Sequence, residues 1–181
     1  RESRLAREDA LTELPSRREF YSQGRRALAL ARRQNTPFAA VFIDLDRFKE
    51  VNDTLGHETG DQLLKAVSAA LRARLRASDI AGRLGGDEFA LILPGMGYGP
   101  AAHYVEELRQ RLLHAMQQED WPVTFSIGVA SYRRAPDDFD RLLARADALM
   151  YEVKNSGRDD ILIRECGLEG GDVGEREKPP S

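Results

Sequence analysis

The stretch RLGGDEFALIL, Arg83 to Leu93, places two glycines and two carboxylates directly before a continuous apolar run. Phe89 to Leu93 shows no polar alternation, which predicts a strand buried on both faces of a sheet. A glycine pair between two strand-like segments predicts a β-hairpin, so Asp87 and Glu88 should lie just past a tight turn. Negative charge at the edge of an apolar core is costly unless it is paired, which makes a cation the first candidate partner.

The composition predicts one compact domain with a sizeable core. The chain has 181 residues, is 41% hydrophobic and carries a formal net charge of -3. This balance argues against a broadly basic nucleic-acid surface, so no nucleic-acid partner is expected and any phosphate should belong to a small ligand. Cys166 is the single cysteine, which favours the reducing cytoplasm. No apolar run reaches the roughly 18 residues of a membrane helix, so no direct membrane contact is expected.

Hydrophobic periodicity predicts four helices and four further β segments. Residues 16–34 are typical of an amphipathic helix with Ser16 as its N-cap. Residues 37–46 are typical of a buried strand that ends in two acids. The remaining predictions are helices over 61–75, 100–116 and 139–157, a loop over 46–53, the hairpin around Gly85-Gly86, and strands over 123–132 and 159–163. Residues 165–181 are rich in Gly, Pro and charge, which indicates a disordered tail or a linker.

Acidic side chains occur where two predicted strands end and begin. Asp44 closes one buried strand, and Asp87 with Glu88 opens another. If these strands are neighbours, the carboxylates converge at one end of the sheet, and oxygen-only ligands of that kind suit Mg²⁺ or Mn²⁺.

Cationic residues nearby suit a nucleotide triphosphate. The predicted loop over 46–53 offers backbone N–H groups and Lys49, while Lys154 and Arg158 are spaced i and i+4 near a helix end. Lys154 and Arg158 could instead only complement the negative end of the helix dipole. His57 taken alone is more typical of a structural hydrogen-bonding residue than of a ligand.

Four blocks in the same order resemble the GGDEF family of diguanylate cyclases, which join two GTP into cyclic di-GMP. They are IDLDRFKEVNDTLGHETGDQLL, RLGGDEF, SIGVA and ADALMYEVKNSGRD, and the resemblance covers about residues 9–164. The opening block DALTELPSRREF departs from the family pattern, with Glu13 in place of a glycine and Ser16 in place of an asparagine. Asp159 stands where the family more usually has asparagine. The departures at Glu13 and Ser16 bear on local turn geometry more than on catalysis, and the one at Asp159 has no explanation from the sequence.

The resemblance implies an α/β fold with a central, mostly antiparallel five-stranded sheet flanked by helices. That fold is similar to the palm of nucleotide cyclases and polymerases, with a ferredoxin-like core. Residues 9–164 would form the cyclase domain, residues 1–8 the end of an upstream linker helix, and residues 165–181 the tail. The domain would be cytoplasmic, as an output domain if the full-length protein is membrane-anchored, and an upstream sensory or dimerising domain would precede it.

The resemblance also implies roles for individual residues. Two Mg²⁺ (or Mn²⁺) ions per active site would be held by the side chains of Asp44, Asp87 and Glu88 and by the backbone carbonyl of Leu45. Catalytic roles fall on Asp87, Glu88 and Lys49, with Asp87 taking the proton of the attacking ribose 3′-OH. Substrate contacts fall on Asn52, His57, Asp61, Gly85, Gly86, Lys154 and Arg158. A carboxylate at Asp61 can accept N1–H and N2–H of guanine, which favours GTP over ATP.

The segment RASD matches the family's inhibitory R-x-x-D site. Its Arg76 and Asp79 lie shortly before the glycine pair, and this resemblance implies that cyclic di-GMP binds there as product and inhibitor. An ordinary surface ion pair is the alternative. Because one domain binds one GTP, catalysis would need a homodimer with two facing sites. The rival hypothesis is a non-catalytic module, either a cyclic di-GMP receptor or a GTP-sensing regulator.

Overall fold

The computed structural model describes residues 6–167, which form alternating helices and strands. The elements, in chain order, are α1 (Arg17–Gln34), β1 (Phe38–Asp46), α2 (Phe48–Leu55), α3 (His57–Ala73), β2 (Ile80–Arg83), β3 (Glu88–Pro94), α4 (Tyr98–Gln118), β4 (Thr124–Tyr132), α5 (Phe139–Asn155) and β5 (Asp160–Cys166).

The five strands form one mixed sheet in the order β2-β3-β1-β4-β5. The central strand β1 runs antiparallel to β3 and β4, and β2 runs antiparallel to β3. Only β5 is parallel to its neighbour β4, and α5 provides the crossover that a parallel pair requires. The mostly antiparallel five-stranded sheet predicted from the sequence is therefore confirmed.

Helices cover both faces of the sheet, which is why β1 lacks a polar face. Ala39, Val41 and Ile43 pack with α2, α3 and α4 on one side. Phe38, Ala40 and Phe42 alternate with them and pack with α1 and α5 on the other side. Burial on both faces explains the uninterrupted apolar run of this strand.

Helix α5 lies unusually close to β4, and a glycine makes this approach possible. A Cβ atom on Gly128 would lie 2.3 Å from the carbonyl oxygen of Ala146 and 2.3 Å from the amide nitrogen of Met150. Both neighbours are backbone atoms, so any side chain at this position would have to push the helix away from the sheet.

Two predictions from the sequence are wrong in the region of α2 and α3. The predicted loop over 46–53 is mostly helix α2, and α3 begins at His57 rather than Asp61. The first turn of α3 is polar, and α2 buries only Phe48 and Val51. A helix with so short an apolar stripe gives too little periodicity to be recognised from sequence.

The hairpin turn is longer than the predicted glycine pair. Strand β2 ends at Arg83 and β3 begins at Glu88, so the turn comprises residues 84–87. A hydrogen bond from the Leu84 N–H to the Glu88 carbonyl, 2.9 Å, encloses residues 85–87. Neither Gly85 nor Gly86 has a positive φ, so the turn is not the two-residue type that a glycine pair favours.

Ordered backbone contacts extend a few residues beyond residues 9–164 at both ends. Residues 6–8 are not helical, and Glu8 forms an isolated bridge with Pro15, so the predicted linker helix does not extend through them. The backbone carbonyl of Arg7 accepts the Ser16 N–H at 2.8 Å, which holds this segment against the start of α1. Strand β5 continues to Cys166 because Cys166 pairs with Tyr132, two residues into the predicted tail. Residues 1–5 and 168–181 lie outside the described residues.

Candidate active site

Carboxylates converge at the edge of the sheet where β1 ends and β3 begins. Asp44 is the direct partner of Glu88 in the antiparallel register, and the carbonyl of Asp87 accepts the Leu45 N–H at 3.1 Å. The neighbouring strands therefore bring Asp44, Asp87 and Glu88 together, as the sequence predicted. Leu45 follows Asp44 with its side chain buried in the core, so only its backbone is available to the site.

Burial and mutual repulsion disfavour the charged forms of the Asp44 and Glu88 carboxyls. Burial, together with the charges of Asp87 and Glu88, raises the pKa of Asp44 to about 7, although Lys154 opposes the shift. Burial and the charges of Asp147 and Asp87 also raise the pKa of Glu88. The edge of the sheet therefore carries more negative charge than its protein partners neutralise.

Lys154, in the last turn of α5, forms ion pairs at this cluster. Its Nζ atom lies 3.2 Å from Asp44 Oδ1 and 3.0 Å from Asp46 Oδ1. Ion pairing therefore holds the Lys154 ammonium in position. The negative end of the helix dipole, which was the alternative considered from the sequence, acts in the same direction. Arg158 follows four residues later in the chain but is exposed, and its backbone has a left-handed φ of 63°.

Asp46 differs from Asp44 because its carboxylate is fully hydrogen bonded. Its oxygens accept the hydroxyls of Ser126 and Thr124, each at 2.7 Å, and the Asp159 N–H at 3.0 Å. Burial alone would raise the pKa of Asp46, but these hydroxyls and Lys154 lower it below its ordinary value. Asp46 is thus an ionised anchor for Lys154 and for the chain after α5.

The carboxylates fit a divalent cation in chemistry although they are not gathered into a finished coordination shell. Within residues 6–167, no group of three or more His, Cys, Asp or Glu side chains stands close enough to hold an ion. Asp44 Oδ1 is buried with Lys154 Nζ 3.2 Å away, yet burial and the like charges beside it still raise the pKa of Asp44. A buried carboxylate whose one lysine does not offset the neighbouring negative charge, beside two more carboxylates, is the kind of donor set that Mg²⁺ or Mn²⁺ prefers.

The glycine turn is clamped by an arginine that the sequence analysis did not single out. Arg83 donates from Nε to the carbonyl of Gly85 at 3.1 Å and from Nη2 to the carbonyl of Gly86 at 2.9 Å. Its Nη1 atom lies 3.2 Å from both carboxylate oxygens of Asp9. Asp9 also accepts the N–H and hydroxyl of Thr12, each at 2.8 Å. The conformation of the turn is therefore tied to the opening segment of the domain.

The two signature glycines face different surroundings. A Cβ on Gly85 would lie 2.7 Å from Glu88 Oε1, whereas a Cβ on Gly86 would meet nothing within 4 Å. Gly85 therefore makes room for the Glu88 carboxylate. Gly86 borders open space, where another molecule can approach the backbone closely.

The predicted guanine-binding residues lie at the contact between α2 and α3. Asn52 of α2 is half-buried against Gly60, where a Cβ would lie only 1.8 Å from the Asn52 Oδ1 atom. Asp61 is the next residue and is exposed, so the structure brings the two predicted readers into one region. Lys49 and His57 are exposed at the starts of the same two helices.

Arg76 and Asp79 form a tight local pair. Asp79 accepts the Arg76 N–H at 2.9 Å and the guanidinium Nη2 at 2.6 Å, while Arg76 also donates to the Pro94 carbonyl at 2.8 Å. The Asp79 side chain is 0% exposed and that of Arg76 is 43% exposed. Arg76 is therefore the member of the pair that faces solvent, and Asp79 holds it in place.

Comparison with known proteins identifies the family. A family model described as "Diguanylate cyclase, GGDEF domain" matches residues 6–160. The chain belongs to the GGDEF domain family. Its sheet and flanking helices have the palm-like fold of the GGDEF domain, as expected from the sequence.

Curated GGDEF proteins match most of this chain. Diguanylate cyclase DosC of Escherichia coli (strain K12) is 38% identical over 164 residues, which cover 88% of this chain and 35% of DosC. The bifunctional diguanylate cyclase/cyclic di-GMP phosphodiesterase MucR of Pseudomonas aeruginosa is 39% identical over 166 residues, covering 91% of this chain and 24% of MucR. The chain thus spans about a third or less of these relatives.

A solved GGDEF structure is similar over nearly its whole length. The GGDEF domain of DgcB from Caulobacter crescentus, crystallised in complex with c-di-GMP, superposes with a TM-score of 0.77 at 31% identity. The match covers 87% of this chain and 95% of that domain. Within residues 6–167, the helices of this GGDEF domain lack the combination of length and apolar content needed to cross a membrane.

Proposed function

We propose that this GGDEF domain is a diguanylate cyclase that converts two GTP into cyclic di-GMP and two pyrophosphates. The observation that carries the proposal is the convergence of Asp44, Asp87 and Glu88 beside Lys154 at one edge of the sheet. Excess negative charge next to a lysine suits a site that binds a nucleotide triphosphate together with a divalent cation. The family of the chain supports the same conclusion.

The reaction forms two phosphodiester bonds between the same two nucleotides. Each ribose 3′-OH attacks the α-phosphorus of the other GTP, loses its proton, and displaces pyrophosphate. Asp87 is the carboxylate proposed to accept that proton, and Glu88 is held beside it by the strand that begins there. Two Mg²⁺ (or Mn²⁺) ions bound by Asp44, Asp87, Glu88 and the Leu45 carbonyl would supply neutralisation of charge on the phosphates.

Cationic and backbone groups are available for the phosphates. The N-terminus of α2 leaves unbonded N–H groups in its first turn, and Lys49 lies in that turn. Lys154 and Arg158 approach from the end of α5. We assign these groups to the triphosphate because their charges complement it.

The base specificity is assigned to Asn52 and Asp61. A carboxylate accepts the N1–H and N2–H of guanine, a donor pair that adenine does not present. His57 borders the same region at the start of α3. GTP is therefore the proposed substrate, and ATP is expected to react poorly.

Two domains have to face each other because a single site holds half of the reaction. We propose a homodimer for catalysis, brought together by an upstream sensory or dimerising domain of the full-length protein. A buried free thiol at Cys166 suits a reducing compartment, which supports a cytoplasmic location.

Product inhibition is assigned to Arg76. The exposed face of its guanidinium can bind a phosphate or the Hoogsteen edge of guanine, and its rigid anchoring to Asp79 and Pro94 reduces the entropy lost on binding. The buried Asp79 carboxylate is engaged with Arg76, so its proposed part is to hold the arginine.

The decisive experiment is incubation of the purified chain with GTP and Mg²⁺. Cyclic di-GMP and pyrophosphate should appear in a ratio of one to two, and Asp87→Asn should abolish both while circular dichroism stays unchanged. GTP binding without product in the wild type, at concentrations where the chain is dimeric, would favour the rival non-catalytic regulator.

A further inference from the structure

The turn between α5 and β5 has a strained backbone that needs support. Gly157, Arg158 and Asp159 all have positive φ values, 110°, 63° and 52°. The left-handed region is unfavourable for residues with a side chain, and two such residues in succession persist only where the surroundings hold them. Lys154 lies just before this turn and Arg158 within it, so the support matters to both cations.

Arg109 of α4 provides that support from outside the site. Its Nη2 atom donates to the Asp159 carbonyl at 2.9 Å and to Asp159 Oδ1 at 2.8 Å. The Arg109 side chain is only 15% exposed, and its other ionic neighbour is Glu106 at 3.9 Å. A guanidinium that grips a carbonyl and a carboxylate of the same residue fixes both backbone and side chain.

The opposite end of the same residue is tied to the sheet. The Asp159 N–H donates to Asp46 Oδ2 at 3.0 Å, and Asp46 also pairs with Lys154 at 3.0 Å. Asp159 therefore joins α4 to the carboxylate that anchors Lys154. Without Arg109, a second carboxylate would remain beside Asp46 with no cation of its own, and the turn would lose its outer restraint.

We propose that Arg109 is a positioning residue for substrate binding: through Asp159 it fixes the turn that presents Lys154 and Arg158 to the phosphates of GTP. The proposal rests on the proposed function, because the phosphates belong to that substrate. It gives a role to Asp159, whose place in the sequence had no explanation from the sequence alone.

The test is GTP affinity, measured by calorimetry in the presence of Ca²⁺, followed by steady-state kinetics with Mg²⁺. Arg109→Met should weaken GTP binding about tenfold, as expected for loss of a charge-assisted pair, and raise KM similarly with kcat changed much less. Arg111→Met removes the same charge from an exposed position on the same helix and should leave affinity unchanged. This control separates positioning from long-range electrostatics.

A double substitution tests whether the two residues act through one contact. Asp159→Ala removes the carboxylate that Arg109 binds and should also weaken GTP binding, and adding Arg109→Met to it should cost less than Arg109→Met costs in the wild type, because both changes break the same restraint. Wild-type affinity in Arg109→Met, or an equal loss in Arg111→Met, would overturn the proposal. A wild-type chain that binds no GTP would overturn the proposed function and the proposal with it.

Discussion

Asp44 of β1 and Glu88 of β3 stand directly opposite each other in the antiparallel register. Like charges at opposed positions of a sheet destabilise it. Burial, the charge of Asp87 and, more weakly, the charge of Glu88 together raise the pKa of Asp44 to about 7. The site therefore carries an electrostatic cost in the absence of a bound cation, and this cost can be measured.

Asp44→Asn should raise the melting temperature in metal-free buffer at pH 8. The folded-state pKa of about 7 exceeds the ordinary value of 3.8, so the folded state binds the extra proton between these pH values. Stability contributed by this group thus falls as pH rises from about 4 to about 7. Differential scanning fluorimetry should show the gain at pH 8 and none near pH 4. Mg²⁺ should stabilise the wild type more than the variant; a lower melting temperature for the variant at pH 8 would contradict the prediction.

Gly60→Ala should weaken GTP binding by displacing Asn52. The new Cβ would lie 1.8 Å from the Asn52 Oδ1 atom, so the carboxamide has to move. Loss of its contact to guanine should raise KM by roughly tenfold. Gly99→Ala is the matched control, since a Cβ there meets nothing within 4 Å. An unchanged KM in Gly60→Ala would remove Asn52 from the guanine site.

Arg83→Lys should lower kcat/KM although it keeps the positive charge. A lysine cannot donate simultaneously to the carbonyls of Gly85 and Gly86 and pair with Asp9 as the guanidinium does. The expected loss is on the order of tenfold. Faster amide exchange in residues 84–87 should accompany it. Normal kinetics together with fast exchange would show that the turn needs no clamp.

Specific activity should rise with protein concentration, because one site holds half of the reaction. Fusing a parallel coiled coil ahead of Arg1 should raise activity in dilute solution, where the untagged chain is monomeric. Pyrophosphate release per molecule, measured across a dilution series, checks this expectation. A flat profile down to the monomer would exclude the two-domain mechanism.

Added cyclic di-GMP should slow the wild type even at saturating GTP, and Arg76→Ala should relieve this while the rate before product accumulates is retained. The exposed guanidinium is the group that can bind the product, and an inhibitor acting there must by linkage favour the unproductive arrangement. Titrating the product into both proteins gives the comparison. Equal inhibition of the two would leave Arg76 and Asp79 as a surface ion pair.

The sequence predicted the strands well because uninterrupted apolar runs such as Phe89 to Leu93 have few alternatives in a folded chain. It assigned no role to Asp46, since the hydroxyls that satisfy Asp46 belong to β4 and become its neighbours only through the strand register. The Arg83 clamp was missed for a related reason. Its partner Asp9 lies 74 residues away in sequence, and no local pattern reports such a pairing.

The close approach of α5 to β4 at Gly128 fixes the position of Lys154, although the two residues are not in contact. Lys154 lies eight residues beyond Ala146, about 12 Å further along the helix at 1.5 Å per residue. Inserting one residue between Met150 and Lys154 would advance the ammonium by about 1.5 Å and turn it by about 100°. Lys154 would then leave both carboxylates while the contact at Gly128 stayed intact. The ion pairs of Lys154 therefore depend on the number of residues between Gly128's contact and Lys154 as much as on the lysine itself.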